Sequence, residues 1–317
     1  MKKVMIAVWG LALVVSWGIG EAWSQAYPSR PIQVVVPWAG GDTDLVTRLF
    51  SSYIPNHLGQ PAVVLNKPGA GGLIGTEYVA KAPADGYTLV ANGPAHLIVP
   101  KVQEKAYSLD SFIPLVQMAK NKSLLLVQKE APWNTLKDFV ADAQKNPGTM
   151  PYGIPGFGSW HTLMLEIVKD STKINIAPVT FPGNAPLVAA LLGGHIKLIL
   201  IEKPVALPHV KGGTLKPLAI SEKDAEFPGV PTYEEQGVKG DFNNWKALFG
   251  RADLPKEIVK VLDEAFQKVL ADKEYVAALE KVGSSVGNYA GESFRNFIRE
   301  EDKKYGEIAK LLPKPKK

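Results

Sequence analysis

The stretch Pro31-Ile32-Gln33-Val34-Val35-Val36-Pro37, followed directly by Trp38-Ala39-Gly40-Gly41-Asp42-Thr43-Asp44, decides how the chain is read. A β-branched run bounded by prolines predicts a short buried strand. Two adjacent glycines mark a turn, and Leu45, Val46, Leu49, Phe50 and Tyr53 then recur at helical spacing. Asp42, Thr43 or Asp44 stands where the N-cap of that helix is expected.

Outward from this unit the same grammar repeats. Residues 62–65 predict a second strand, 75–81 a helix and 87–91 a third strand. The pattern restarts with a strand over 124–127, a helix over 135–145 capped near Thr135, and a strand over 152–154. A helix through Leu163, Ile167 and Val168, a short helix over 187–192, and strands over 196–201 and 215–221 follow. Strands alternating with helices predict an α/β protein with doubly wound, mostly parallel sheets. Beyond Pro255 the chain turns helical. Ile258, Leu262, Ala265, Phe266, Val269 and Leu270 form one apolar stripe, and a second short helix ends near Gly283. Phe294, Phe297, Ile298, Tyr305, Ile308 and Leu312 form another stripe, and such stripes face a core.

The first 26 residues read as a leader. Lys2 and Lys3 precede an uncharged apolar run of about 17 residues, and Ser24-Gln25-Ala26 offers small residues for cleavage after Ala26. The alternative, a permanent anchor, would normally need about 20 apolar residues. The remaining 291 of 317 residues exceed one ordinary domain, so two lobes with separate cores are expected. Loss of Lys2, Lys3 and Glu21 moves the formal charge from +5 to +4, with charges scattered and the basic cluster 314–317 at the extreme end. This pattern argues against nucleic acid as a partner. The absence of cysteine removes disulfides, thiol catalysis and thiolate metal sites.

Most catalytic motifs fail on spacing. In Pro68-Gly69-Ala70-Gly71-Gly72-Leu73-Ile74-Gly75 the sixth position counted from Gly69 is Ile74, not glycine, and no Gly-Lys dipeptide occurs for a P-loop. Close backbone packing before a helix explains these glycines better. Gly158-Ser159-Trp160-His161 lacks the glycine that closes a nucleophile elbow. His57, His96, His161, His195 and His209 show no metal-ligand spacing, so neither a metal nor a cofactor is expected. Two strand-to-helix loops remain, residues 38–44 and Pro155-Gly156-Phe157-Gly158-Ser159-Trp160-His161. Glycine-rich loops entering helices expose backbone N–H groups and the positive end of the helix dipole, which favours an anion. Tight turning alone would also explain them.

Read with their surroundings, these loops resemble the substrate-binding receptors of tripartite tricarboxylate transporters, the Bug receptors. The resemblance runs in order through residues 27–32, Val34-Val35-Val36-Pro37, Gly40-Gly41-Asp42-Thr43-Asp44, 58–61 and 66–75. It continues through 85–89, 191–194, 207–210 and 227–232 and so covers nearly all of the chain after residue 26. It implies a two-lobe periplasmic binding protein fold, with residues 27–123 and 245–317 as one lobe and 124–244 as the other. It also implies capture of a small organic carboxylate in the periplasm, by a monomer, for the transporter's membrane subunits, without chemistry on the ligand.

The resemblance places residues 38–44 on one side of the ligand and Gly156, Gly158 and Ser159 on the other. Pro182, Gly183, Asn184 and Ala185 fall on a further pocket loop, and Asn92 to His96 on a loop at the lobe interface. Trp38, Phe157 and Trp160 supply apolar walls, or else pack as ordinary core. The chain departs from the family pattern where a histidine usually lies further past the loop serine than His161. It departs again where an aspartate usually follows the strand and this chain has Glu202-Lys203. Glu202 replaces that aspartate, or Lys203 offers a cation to a second acidic group. Departures near the pocket suggest an unusual ligand. An exported enzyme and a ligand sensor for a signalling partner are the competing classes.

Overall fold

The computed structural model describes residues 27–38, 40–103 and 107–311; the leader, Ala39 and Leu312 lie outside them. Strand β1 (Ile32–Val36) enters helix α1 (Asp42–Tyr53), and the short α2 (Pro55–Leu58) leads to β2 (Ala62–Asn66). Then come α3 (Leu73–Ala80), β3 (Thr88–Asn92), α4 (Ala95–Val102) and the long β4 (Phe112–Asn121). After Lys122 the chain crosses into the second lobe as β5 (Ser123–Gln128). There it forms α5 (Leu136–Lys145), β6 (Pro151–Ile154), α6 (Trp160–Thr172), β7 (Ala177–Thr180) and α7 (Asn184–Leu192). It continues as β8 (Leu198–Glu202), α8 (Lys203–Lys211) and β9 (Leu215–Ile220). It returns as β10 (Asn244–Arg251), then α9 (Lys256–Ala271), α10 (Lys273–Lys281), β11 (Ser285–Val286) and α11 (Gly291–Ile308). Among the described residues no helix is long and apolar enough to cross a membrane.

Two sheets result, one in the order β11-β4-β10-β3-β1-β2 and one in the order β7-β6-β8-β5-β9. Both are mixed, and the reason is geometric. β1, β2 and β3 are mutually parallel, as are β6, β7 and β8, and their carboxyl ends face the gap between lobes. A strand that enters a lobe from the gap must run the other way. β5 has just crossed from the first lobe and is antiparallel to β8 and β9; β10 has just crossed back and is antiparallel to β3 and β4. The crossing therefore pairs Asn121 with Asn244 at the edge of one sheet and Ser123 with Glu202 at the edge of the other.

Burial follows the sequence pattern. Ile32, Val34, Val35 and Val36 are fully buried, as expected for a strand covered by helices on both faces. Leu262, Phe266 and Val269 of α9 pack into the first-lobe core with Phe50 of α1, and Phe294 and Tyr305 of α11 are likewise buried. Thr135 caps α5 as read, accepting from the Asp138 amide while Asp138 accepts from the Thr135 amide. At α1 the expectation fails. Its cap is Gly41 with no side-chain cap bond, because both aspartates are committed elsewhere.

Candidate ligand-binding site

The parallel strands deliver helices whose N-termini converge on one chamber. It is lined by the starts of α1 (Asp42, Thr43), α4 (Gly93, Pro94, Ala95), α6 (Ser159, Trp160, His161) and α7 (Gly183, Asn184). Glu202, the residue before α8, completes the ring together with Trp38, Gly40, Asn92, Pro155, Asn244 and Lys246. The first N–H groups of a helix have no partner within it, and α1, α4 and α7 carry no side-chain cap. Each helix start brings up to about half a positive charge. The free volume of the chamber is about 30 Å³.

A buried charge network closes the floor and joins the lobes. Lys246 on β10 places Nζ 2.8 Å from Asp42 Oδ2 and 3.4 Å from Glu202 Oε1. Asn121 donates to Asp42 Oδ2 at 3.0 Å, Asn244 donates to Glu202 Oε1, and His161 Nε2 lies 3.2 Å from Glu202 Oε2. Asn184 donates to the same Oε2 at 3.4 Å. Glu202 is wholly buried, and Asp42 and Lys246 are 3% exposed. Burial alone would raise the Glu202 carboxyl, but His161 and Lys246 outweigh it and hold it well below the usual range. For Asp42, burial and the nearby Glu202 charge prevail over Lys246 and His161, so its carboxyl is pushed up. Burial opposes the charge on Lys246, yet Asp42 and Glu202 together raise its pKa.

Of the residues read from sequence, Trp38, Gly40, Asp42, Thr43, Asn92, Ser159, Trp160, His161, Gly183, Asn184 and Glu202 meet at the chamber. Trp160 lines the chamber and is also packed in the core, 2% exposed. Ser159 spends its hydroxyl on the Thr162 amide as the cap of α6. Gly41 and Ala185 lie beside the chamber lining: a Cβ at Gly41 would meet Asn184 at 3.0 Å, and one at Gly40 would rest 3.7 Å from Ala185. Gly156, Phe157 and Pro182 instead line an adjoining groove. Gly158 packs against Val99 and Val102 of α4.

Other expected residues lie elsewhere. Asp44 points away, accepting from Arg48 and from Asn66 Nδ2 at 2.7 Å, which ties the first loop to β2. His96 belongs to α4 rather than to a loop, stacked between Phe249 and Tyr107 at 4.1 and 5.1 Å. Burial pushes its imidazole down to about 3, so it acts there as an uncharged aromatic. Lys203 turns from the chamber to pair with Asp224 and Glu226 at 2.7 and 2.8 Å. The chamber's cation is Lys246. It was missed because it lies inside a buried strand; a lysine between Trp245 and Ala247-Leu248-Phe249 was the available signal.

A family model described as tripartite tricarboxylate transporter family receptor matches residues 46–313. The chain belongs to this family. The receptor is 30% identical to Protein BugT of Bordetella pertussis, over 97% of this chain and 94% of that one. Its fold matches the structure of R. palustris Rpa4515 with adipate, with a TM-score of 0.84 at 28% identity, over 90% of this chain and 98% of that one. It also matches MatC from Rhodopseudomonas palustris with bound malate, with a TM-score of 0.84 at 29% identity, over 89% and 100% of the two chains.

Proposed function

We propose that this receptor captures a small organic carboxylate between its lobes and presents it to the membrane subunits of a tripartite tricarboxylate-type transporter. It does so in the periplasm, after removal of a leader ending at Ala26, as a monomer and without chemistry on the ligand. The observation that carries this reading is the convergence of four helix N-termini, two from each lobe, on one chamber floored by Lys246. Backbone N–H groups and helix dipoles favour an anion, and placing them on both lobes makes the anion the link that holds the lobes shut. Asp42 and Glu202 do not abolish that preference, since Lys246 is shared between them and both are held by amide donors. The hinge lies where the chain crosses, around residues 121–123 and 243–244. Residues 27–123 and 245–317 form one moving body and 124–244 the other. The complexes of related receptors with adipate and malate support a carboxylate as the class of ligand.

The test is calorimetry on ligand-stripped protein with mono-, di- and tricarboxylates and the matching amides. One acid that binds while its amide does not supports carboxylate capture. Equal binding of acid and amide, or turnover of a bound acid, would overturn it. Tight binding with no transport defect on gene deletion would favour the sensor reading.

A further inference from the structure

We infer that the receptor is built for a carboxylate with one charged head and a flat apolar body, and that it discriminates against dicarboxylates. The inference rests on the carboxylate reading above and names the class within it.

The chamber is small. A cavity needs about 10–15 Å³ of such volume to hold one water, so about 30 Å³ accommodates the two oxygens of one carboxylate and little more. Its acidic content also limits what enters. Asp42 and Glu202 already share the one lysine, and a second ligand carboxylate there would face two resident carboxylates. The rest of the ligand must therefore lie outside the chamber.

The adjoining groove is where it would lie. The groove offers about 360 Å³ against 30 Å³ and adjoins the chamber, with Trp38 and Pro155 lining both. None of its lining residues carries a charged side chain. Its lining combines Trp38, Phe157 and Phe181 with the Gly69–Gly72 turn and the uncharged polar side chains of Gln103 and Thr180. The Trp38 ring lies so close over Gly72 that a Cβ there would stand 2.8 Å from it. The glycine cluster that failed as a nucleotide motif thus makes the groove wall. Aromatic faces and backbone edges suit a flat apolar body, which such rings stack against. A distal carboxylate placed there would lose water without gaining a cation.

Calorimetry on the ligand-stripped full chain decides the matter, with phenylacetate and benzoate, acetate, malate and adipate, and phenylacetamide as the uncharged control. We expect an arylcarboxylate to bind at least tenfold more tightly than acetate and than either dicarboxylate. Phe157→Ala and Phe181→Ala should weaken the arylcarboxylate at least tenfold while leaving acetate within twofold, a pattern that misfolding would not produce. Malate or adipate binding more tightly than every arylcarboxylate would overturn this inference and leave carboxylate capture standing. Phenylacetamide binding as well as phenylacetate, or no acid binding at all, would overturn both.

Discussion

Removing the chamber's cation should expose how the two lobes are held together. In Lys246→Met the side chain keeps its length and loses its charge, leaving Asp42 and Glu202 buried without a shared partner. At 2.8 Å and an effective dielectric of about 20, the Lys246–Asp42 attraction alone is about 6 kcal/mol before desolvation is subtracted. Removing one partner of a buried pair costs about 3–5 kcal/mol net. At about 2 °C per kcal/mol for a chain of this size, the melting temperature at pH 7.5 should fall by about 6–10 °C.

The pH dependence follows from the two carboxyls. Asp42 is raised above its ordinary 3.8, so its contribution is full at low pH and is lost as pH rises through the folded value. Glu202 is depressed below its ordinary 4.5, so its contribution is present above that value and is lost as pH falls. Without Lys246 both carboxyls move upward and both favour the protonated form. The gap between variant and wild type should therefore narrow markedly from pH 7.5 to pH 4.5, read by circular dichroism melts at both. A gap of under 2 °C at pH 7.5, or one equal at the two pH values, would refute the reasoning.

Two further outcomes are expected. Gly71 has φ +65°, and a Cβ there would stand 2.6 Å from the Phe157 carbonyl oxygen on the opposite lobe; Gly71→Ala should block full closure. Ligand affinity should fall at least tenfold, about 1.4 kcal/mol, and the solution scattering radius should rise in the presence of ligand; unchanged values of both would count against a closing seam. Thr135→Ala removes the capping box of α5, far from the chamber, and should lower stability by about 1 kcal/mol while leaving ligand affinity unchanged by calorimetry.

The parts legible in the sequence share one property: their signals are local. The Ile32–Val36 strand, the helical stripes of α9 and α11 and the Thr135 cap each need only neighbours within one element. The strands β4 and β10 went unread for a definite reason. Pro114 lies inside β4 and ordinarily demotes a run to an edge, but here a register irregularity beside its partner Phe249 accommodates it in the sheet interior. β10 is buried along almost its whole length, so it lacks alternation, and Lys246 interrupts its apolar run. Pro217 in β9 likewise lies beside a register irregularity, yet that strand was read because Leu218-Ala219-Ile220 follows it.

What the sequence by itself determined is the α/β architecture, the two glycine-rich loops that enter helices, and the family to which their order points. Strand and helix periods are short-range, and so are turn and cap preferences. The tertiary structure alone decided which charges meet. Asp42, His161, Glu202 and Lys246 lie up to about two hundred residues apart, and no spacing rule joins them. They come together because the parallel strands of both sheets end at one gap, and because β10, which crosses it in reverse, carries Asn244 and Lys246 to the edge where Asn121 ends β4.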